Sequence, residues 1–388
     1  MGAETLFTPL RLGGLNLPHR IVMAPLTRMR ADSNGVPRSL NAEYYAQRAG
    51  AALIITEATA ISIQGRGIPH MPEIHTQTQI EGWRRVVDAV HARDGRIVLQ
   101  IVHNGRASHV AYMPDGSQPV GPSAIAIVGK IYMPDFSFAD YQTPRALDAA
   151  EIPAIVETFR QAALNGMKAG FDGVELHAAN GYLLNQFLED GSNQRTDDYG
   201  DSYENRSRLL LEVVEAVKGA IGADRLGVRL SPYGTASGMS ESNPHELYSF
   251  VISELAKRGL AYLHLIESRA SGLGRSDVMT MNTLNTLNNA DLFGHLFNGP
   301  VISAGGYTPD TAAAAIEGGH ASAVAFGRLF IANPDLVERI RHQASLNAYN
   351  RQTFYGGDAH GYTDYPALDT ASLTEPPMRL SRLKVSAT

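Results

Sequence analysis

Eight short apolar runs recur along the 388-residue chain, and they constrain its fold more than any single motif. They occupy residues 21–26, 53–58, 97–102, the opening of the stretch 173–182, 226–230, 261–266, 300–304 and 322–326. Stretches of helical spacing alternate with them at 39–49, 79–93, 203–221, 245–258, 284–297, 308–317 and 333–344. The helix expected after the third run is displaced to 152–169, beyond an irregular stretch. Short apolar runs bounded by turns read as strands buried on both faces, and their alternation with helices reads as a parallel α/β sheet. Two architectures fit. A doubly wound sheet opens with a glycine-rich dinucleotide turn after its first strand. Here that place holds Pro25-Leu26-Thr27. A single (β/α)8 TIM barrel fits better.

The pieces outside this rhythm have places in a barrel. Residues 1–20 alternate apolar and turn residues and predict a β-hairpin plugging one end. The 103–149 stretch is rich in Pro, Gly, Ser and Tyr. The βα rhythm resumes directly after it, so it reads as an excursion from the catalytic face, where insertions in this fold collect. The expected organisation is one barrel over 1–368 and a flexible tail over 369–388. The chain has no cysteine, which excludes thiolate catalysis, disulfides and iron–sulfur clusters. A formal net charge of −6 and the lack of any basic run argue against nucleic acid as a partner. Arg11 and Arg20 interrupt any apolar signal segment, and no run is long enough to cross a membrane, so a cytoplasmic location is expected.

A barrel places its chemistry at the carboxyl ends of its strands. Those ends deliver Thr27; Glu57 and Ala58; Gln100 and His103; His177, Asn180 and Tyr182; Arg229; Glu267; Gly305 and Gly306; and Gly327 and Arg328. Glycines after the seventh and eighth strands let backbone N–H groups approach a phosphate, and Arg328 adds a charged donor fork. No lysine stands at a strand end, which disfavours Schiff-base chemistry. Glu57, His177 and Glu267 are too scattered in sequence to suggest a metal site. An organic phosphate cofactor remains. The amide of Gln100 suits a flavin pyrimidine edge, Arg229 suits negative charge on a reduced ring, and Thr27 could bond the ring carbonyl, so FMN is the expected cofactor. His177 and Asn180 can both donate to one carbonyl oxygen, and Tyr182 can supply a proton.

The motifs LFTPLRLGGLNLPHRIVMAPLTR (6–28), EYYAQRA (43–49), HAANGYLLNQFL (177–188), SNQRTDDYG (192–200), AVAFGR (323–328), IANPDL (331–336) and FYGGDAHGYTDYP (354–366) resemble those of the Old Yellow Enzyme family of flavin-dependent ene-reductases. The resemblance covers roughly residues 5–368. It implies non-covalent FMN held by Pro25, Leu26, Thr27, Ala58, Gln100 and Arg229 at the ring and ribityl chain, and by Gly305, Gly306, Gly327 and Arg328 at the phosphate. It further implies that His177 and Asn180 bind the activating carbonyl or nitro group, that Tyr182 is the proton donor, and that Tyr355 lies near the flavin. NADPH or NADH would reduce the flavin, which would pass hydride to the β-carbon of an activated alkene. The protein would be a monomer or a homodimer.

Two positions depart from the family pattern. Val102 stands where the family commonly has tryptophan, which predicts a wider substrate pocket, and Asp201 stands where glycine is usual. Two other functions compete with ene-reduction. A flavin-binding sensor or storage protein would keep the cofactor site, and a non-flavin barrel enzyme would keep only the phosphate site.

Overall fold

The computed structural model describes residues 3–270 and 288–369. The sequence also predicts a glycine-rich loop over 268–275 after the sixth strand, and residues 271–287 include most of it and the start of the expected 284–297 helix. They lie outside the described residues, as does the expected tail from 370 onward.

Eight parallel strands close into a barrel: β1 (Ile21–Met23), β2 (Leu53–Ile55), β3 (Ile97–Val102), β4 (Gly173–Ala178), β5 (Leu226–Leu230), β6 (Tyr262–Ile266), β7 (Val301–Ala304) and β8 (Ala323–Phe326). Each pairs with the next in sequence, and β8 returns to β1 through Val324 opposite Ile21. Every residue of these strands is buried, as expected of a sheet covered on both faces. The first two strands are shorter than the apolar runs that announced them. Pro25 has no N–H to donate to a ladder, and the chain leaves β1 before it. Space inside the barrel is tight: a Cβ on Gly227 of β5 would lie 2.2 Å from the ring of Tyr262 on β6. Glycine at 227 is therefore what lets that ring occupy the interior.

The surrounding helices include α1 (Ser39–Gln47), α2 (Gln77–His91), α3 (Ile152–Ala169), α4 (Leu183–Leu188), α5 (Tyr203–Ile221), α6 (Pro244–Ala256), α7 (Asn289–Phe293) and α8 (Pro309–Glu317). Their ends follow local rules. Thr76 and Gln79 form a reciprocal capping box before α2, and α3 stops at Gly170, which takes φ 98°. The helix expected over 333–344 is shorter, α10 (Leu336–Arg341), and a separate short helix that the sequence pattern did not announce, α9 (Arg328–Ala332), precedes it. Pro334 between them bars helical geometry at Asn333.

The amino-terminal hairpin pairs Leu10–Leu12 with Leu15–Leu17 and packs Leu12 and Leu17 against Val22, Leu53, Ala261 and Tyr262. Gly14 donates to the carbonyl of Asp224, which precedes β5 (2.9 Å), so the hairpin closes the amino-terminal end. At the opposite end the 103–149 excursion contains a small antiparallel hairpin, Lys130–Tyr132 with Phe138–Asp140.

Candidate active site

A cavity of about 420 Å3 opens at the carboxyl ends of the strands. Its lining includes Pro25, Leu26, Thr27, Ala58, Gln100, His177, Asn180, Tyr182, Arg229, Gly305, Gly306, Gly327, Arg328 and Tyr355, so one space gathers residues from seven strand ends and the carboxyl-terminal segment.

The turn after β4 is built for precision. Asn180 adopts φ 57° and Gly181 φ 76°, a left-handed pair that reverses the chain between His177 and Tyr182. The N–H of Asn180 donates to Ser231 Oγ (3.0 Å), and its carbonyl accepts from Ser237 Oγ (3.2 Å). Two buried amides of α4 hold the turn from beneath. Asn185 Oδ1 accepts the N–H of Gly181 (2.8 Å), while Gln186 donates to the carbonyls of Gly181 (2.7 Å) and Asn104 (2.9 Å). Gln186 also accepts the N–H of Arg106 (3.0 Å), which ties the β4 turn to the loop after β3. The rings of His177 and Tyr182 then meet edge-on, 4.9 Å between centroids.

Burial sets the protonation of these groups. Desolvation, followed by the charge of Arg229, holds the His177 imidazole well below its ordinary value, so it is neutral at pH 7 and carries one N–H. Its Nδ1 is buried without a hydrogen-bond partner among the described residues. Burial also pushes the Tyr182 phenol up, with Tyr141 and Tyr355 adding to the effect, so Tyr182 keeps its proton. Both groups are therefore neutral proton carriers facing one cavity.

At the ring end, Gln100 Nε2 donates to the buried Glu175 (2.7 Å). A carboxylate only accepts, which fixes the amide orientation and leaves Gln100 Oε1 for a donor in the cavity. Arg229 donates no hydrogen bond among the described residues, and its Nε is buried without a partner. Burial lowers its pKa to about 10, so it remains a cation at neutral pH. At the other end, Gly305 takes φ 146° and Gly306 φ 67°, and a Cβ on Gly305 would lie 2.9 Å from the Glu267 Cβ. Glycine is therefore required at 305 both by conformation and by space. The Arg328 guanidinium lies 5.8 Å from the centre of the Tyr349 ring. An acceptor and an uncommitted cation at one end, apolar walls between, and glycines with an arginine at the other fit the ring, chain and phosphate of FMN.

The carboxyl-terminal wall depends on three buried arginines. Arg28 donates to the carbonyls of Phe354 (2.9 Å) and Gly361 (2.8 Å), and Arg30 to those of Thr353 (2.9 Å) and Asp358 (3.0 Å). Arg48 donates to the carbonyls of Phe330 and Ile331, and the rings of Tyr44 and Tyr362 stack at 4.0 Å. These contacts clamp the 353–362 segment across the barrel and set Tyr355 at the cavity.

Some strand-end residues turn away from the cavity. Glu57 accepts the N–H of Arg28 (3.0 Å), Glu267 accepts the N–H of Asn289, and His103 Nδ1 accepts the N–H of Gly105 (3.0 Å). All three brace loops. Val102, expected on the pocket wall, is fully buried and is not among the residues that line the cavity. It packs with Ala58, Ala60 and Met71, and Ile68 and Tyr182 cover that cluster. Of this group, Ala58, Tyr182 and Ile68 line the cavity; Ile68, from the loop after β2, stands at a position with no signal in the strand pattern. Asp201 adopts φ 72°, the left-handed geometry that glycine accepts most easily, so the backbone turn exists despite the side chain. The sequence reading also missed Asn104, Ile131, Tyr132 and Tyr141, which line the cavity from the loop and the excursion after β3. The tyrosine-rich composition of the excursion was their only trace.

The profile of the NADH:flavin oxidoreductase / NADH oxidase family matches residues 5–347. Over 379 residues the chain is 45% identical to 12-oxophytodienoate reductase 7 of Oryza sativa subsp. japonica, covering 94% of each. It is 42% identical over 369 residues to 12-oxophytodienoate reductase 2 of Arabidopsis thaliana, covering 95% of this chain and 96% of the relative. Among solved structures, morphinone reductase superposes with a TM-score of 0.88 at 47% identity, covering 94% of this chain and 97% of that one. The old yellow enzyme homologue from Zymomonas mobilis also gives 0.88, at 40% identity, with 94% of this chain and all of that one covered.

Proposed function

The chain belongs to the NADH:flavin oxidoreductase / NADH oxidase family, a family of FMN oxidoreductases, and we propose that its cavity reduces the carbon–carbon double bond of α,β-unsaturated carbonyl or nitro compounds. FMN, once bound and reduced by NADPH or NADH, supplies the hydride. Thr27, Gln100 and Arg229, with Pro25, Leu26 and Ala58 as walls, hold its ring, while Gly305, Gly306, Gly327 and Arg328 hold its phosphate. His177 and Asn180 donate to the activating oxygen of the alkene, which draws electron density from the β-carbon and stabilises the enolate-like charge as it develops. Tyr182 delivers a proton to the α-carbon, and Tyr355 bounds the space above. We read residues 1–368 as one functional unit in which the 103–149 excursion walls the mouth. The location we propose is cytoplasmic and the assembly a monomer or homodimer, without nucleic-acid or membrane partners.

The observation that carries this reading is the neutral His177, its Nδ1 buried without a partner, edge-on to Tyr182 in the cavity that also holds Gln100 and Arg229. A storage or sensing protein would have no use for a proton donor placed beside a carbonyl clamp. The test is to purify the protein, release and identify its flavin, reduce it anaerobically with NADPH, and follow reoxidation by 2-cyclohexenone. Reoxidation should be fast in the wild type and lost when His177 and Asn180 are both changed to Ala. A colourless protein that cannot take up FMN would refute the cofactor assignment. Equal rates in the double variant would move the carbonyl clamp elsewhere.

A further inference from the structure

Beneath the cavity floor lies a buried polar group that the proposed reaction does not use. Glu175 stands two residues before His177 on β4, so both side chains face the barrel interior. It sits opposite Gln100 of β3, as His177 sits opposite Arg229 of β5 and Arg229 opposite His264 of β6. Glu175 and His264 are wholly buried. One carboxylate oxygen accepts from Gln100 Nε2 (2.7 Å), and the other lies 2.9 Å from His264 Nδ1. The carboxylate can only accept, so Nδ1 of His264 carries the proton; Nε2 is buried without a partner.

Charge deep in a barrel is costly unless something requires it. Burial alone would raise the pKa of Glu175, but His264, Arg229 and the Gln100 amide hold it below the usual carboxylate range, so it is ionised. Arg229 makes no ion pair with it and donates no hydrogen bond among the described residues. Its charge is exposed to the cavity and opposed from below by a carboxylate.

We infer that Glu175 is a positioning residue that sets the reduction potential of the bound flavin. It orients the Gln100 amide so that its oxygen faces the cavity, and its negative charge offsets the stabilisation that Arg229 gives to negative charge on the ring. Without Glu175 the reduced cofactor would be held too firmly, and hydride donation would become less favourable. The inference rests on the reading that this cavity binds FMN.

The experiment is a potentiometric titration of the FMN-loaded wild type, Glu175→Gln and Glu175→Asp. Glu175→Gln keeps the size of the side chain and removes its charge. The potential should rise by an amount equivalent to about tenfold in the reduction equilibrium, about 30 mV for a two-electron couple. Glu175→Asp keeps the charge while shortening the reach, and its potential should stay near the wild type. A merely structural role predicts the reverse ranking, with the isosteric Gln variant the less perturbed. An unchanged potential in Glu175→Gln, or that reversed ranking, overturns the inference. Should Glu175→Gln fail to fold, redox-difference infrared spectra of the wild type decide. A carboxylate band shifted by 13C-glutamate labelling supports the role, and its absence overturns it. A wild type that takes up no FMN would instead refute the cofactor assignment itself.

Discussion

Gln186 should matter to both stability and turnover although it touches no reactant. Its side chain is fully buried and joins three backbone groups: the carbonyls of Gly181 and Asn104 and the N–H of Arg106. Gln186→Met keeps the length and most of the volume but leaves the Gly181 carbonyl and the Arg106 N–H unpaired, while the Asn104 carbonyl keeps the N–H of Ala107 (3.1 Å). A buried group stripped of its partner costs about 1–3 kcal/mol. Two neighbouring groups that relax together should then cost roughly 2–4 kcal/mol. Gly181 lies between Asn180 and Tyr182, so a shift of the freed turn displaces the proposed donor to the substrate oxygen and the proposed proton donor at once. Urea unfolding of the FMN-loaded protein should show a lower midpoint, and kcat with 2-cyclohexenone should fall about 10²-fold, as a misplacement of about 1 Å can produce. Gln186→Glu should be no better, since its carboxylate would face two carbonyl oxygens. A Met variant within about 1 kcal/mol of the wild type and with unchanged turnover would refute the claim that this amide positions the turn.

Tyr182→Phe should leave FMN reduction by NADPH intact and slow reoxidation by 2-cyclohexenone about 10²–10⁴-fold; equal loss in both half-reactions would contradict a proton-donor role. Val102→Ala should lower stability by about 2 kcal/mol through lost burial. It should also leave the product ratio from carvone unchanged, whereas Ile68→Ala should alter it; the opposite pattern would put Val102 back on the pocket wall. His103 gives a pH prediction. Burial depresses its pKa from 6.5 to about 4, so the unfolded chain takes up a proton first as pH falls. The stability due to its neutral form is fully present above pH 6.5 and is lost on acidification toward pH 4. The loss should reach about 2 kcal/mol by pH 5. Urea midpoints of the wild type and His103→Leu should therefore converge between pH 7 and pH 5, and parallel curves would show that His103 does not titrate this way.

Strands were legible where periodicity and turns were unambiguous. The bounds of β3, β5, α3 and α5 agree with their sequence patterns because each is a long apolar or amphipathic run with a clear stop. Two boundaries failed at prolines: Pro25 has no N–H for the ladder, and Pro334 bars helical geometry at Asn333. The site divides in the same way. His177, Asn180, Tyr182, Gln100, Arg229 and the glycines stand at strand ends, and a barrel's topology alone brings strand ends together. Their types and order along the chain therefore carried the fold and much of the cavity lining, but not Ile68, Asn104, Ile131, Tyr132 or Tyr141.

What the linear chain could not contain was contact between side chains far apart in it. That Ile68 covers Val102, that Gln186 ties the β4 turn to the β3 loop, and that Glu175 faces Gln100, His264 and Arg229 all depend on close packing inside a closed barrel. So does the neutrality of His177, which arises from burial and from the neighbouring Arg229 charge. Local propensity and apolar periodicity are properties of neighbouring residues, and they determined the barrel and its strand ends. Desolvation and steric exclusion are properties of the assembled interior, and only the tertiary structure decided which of those residues meet the cavity and in what state of charge.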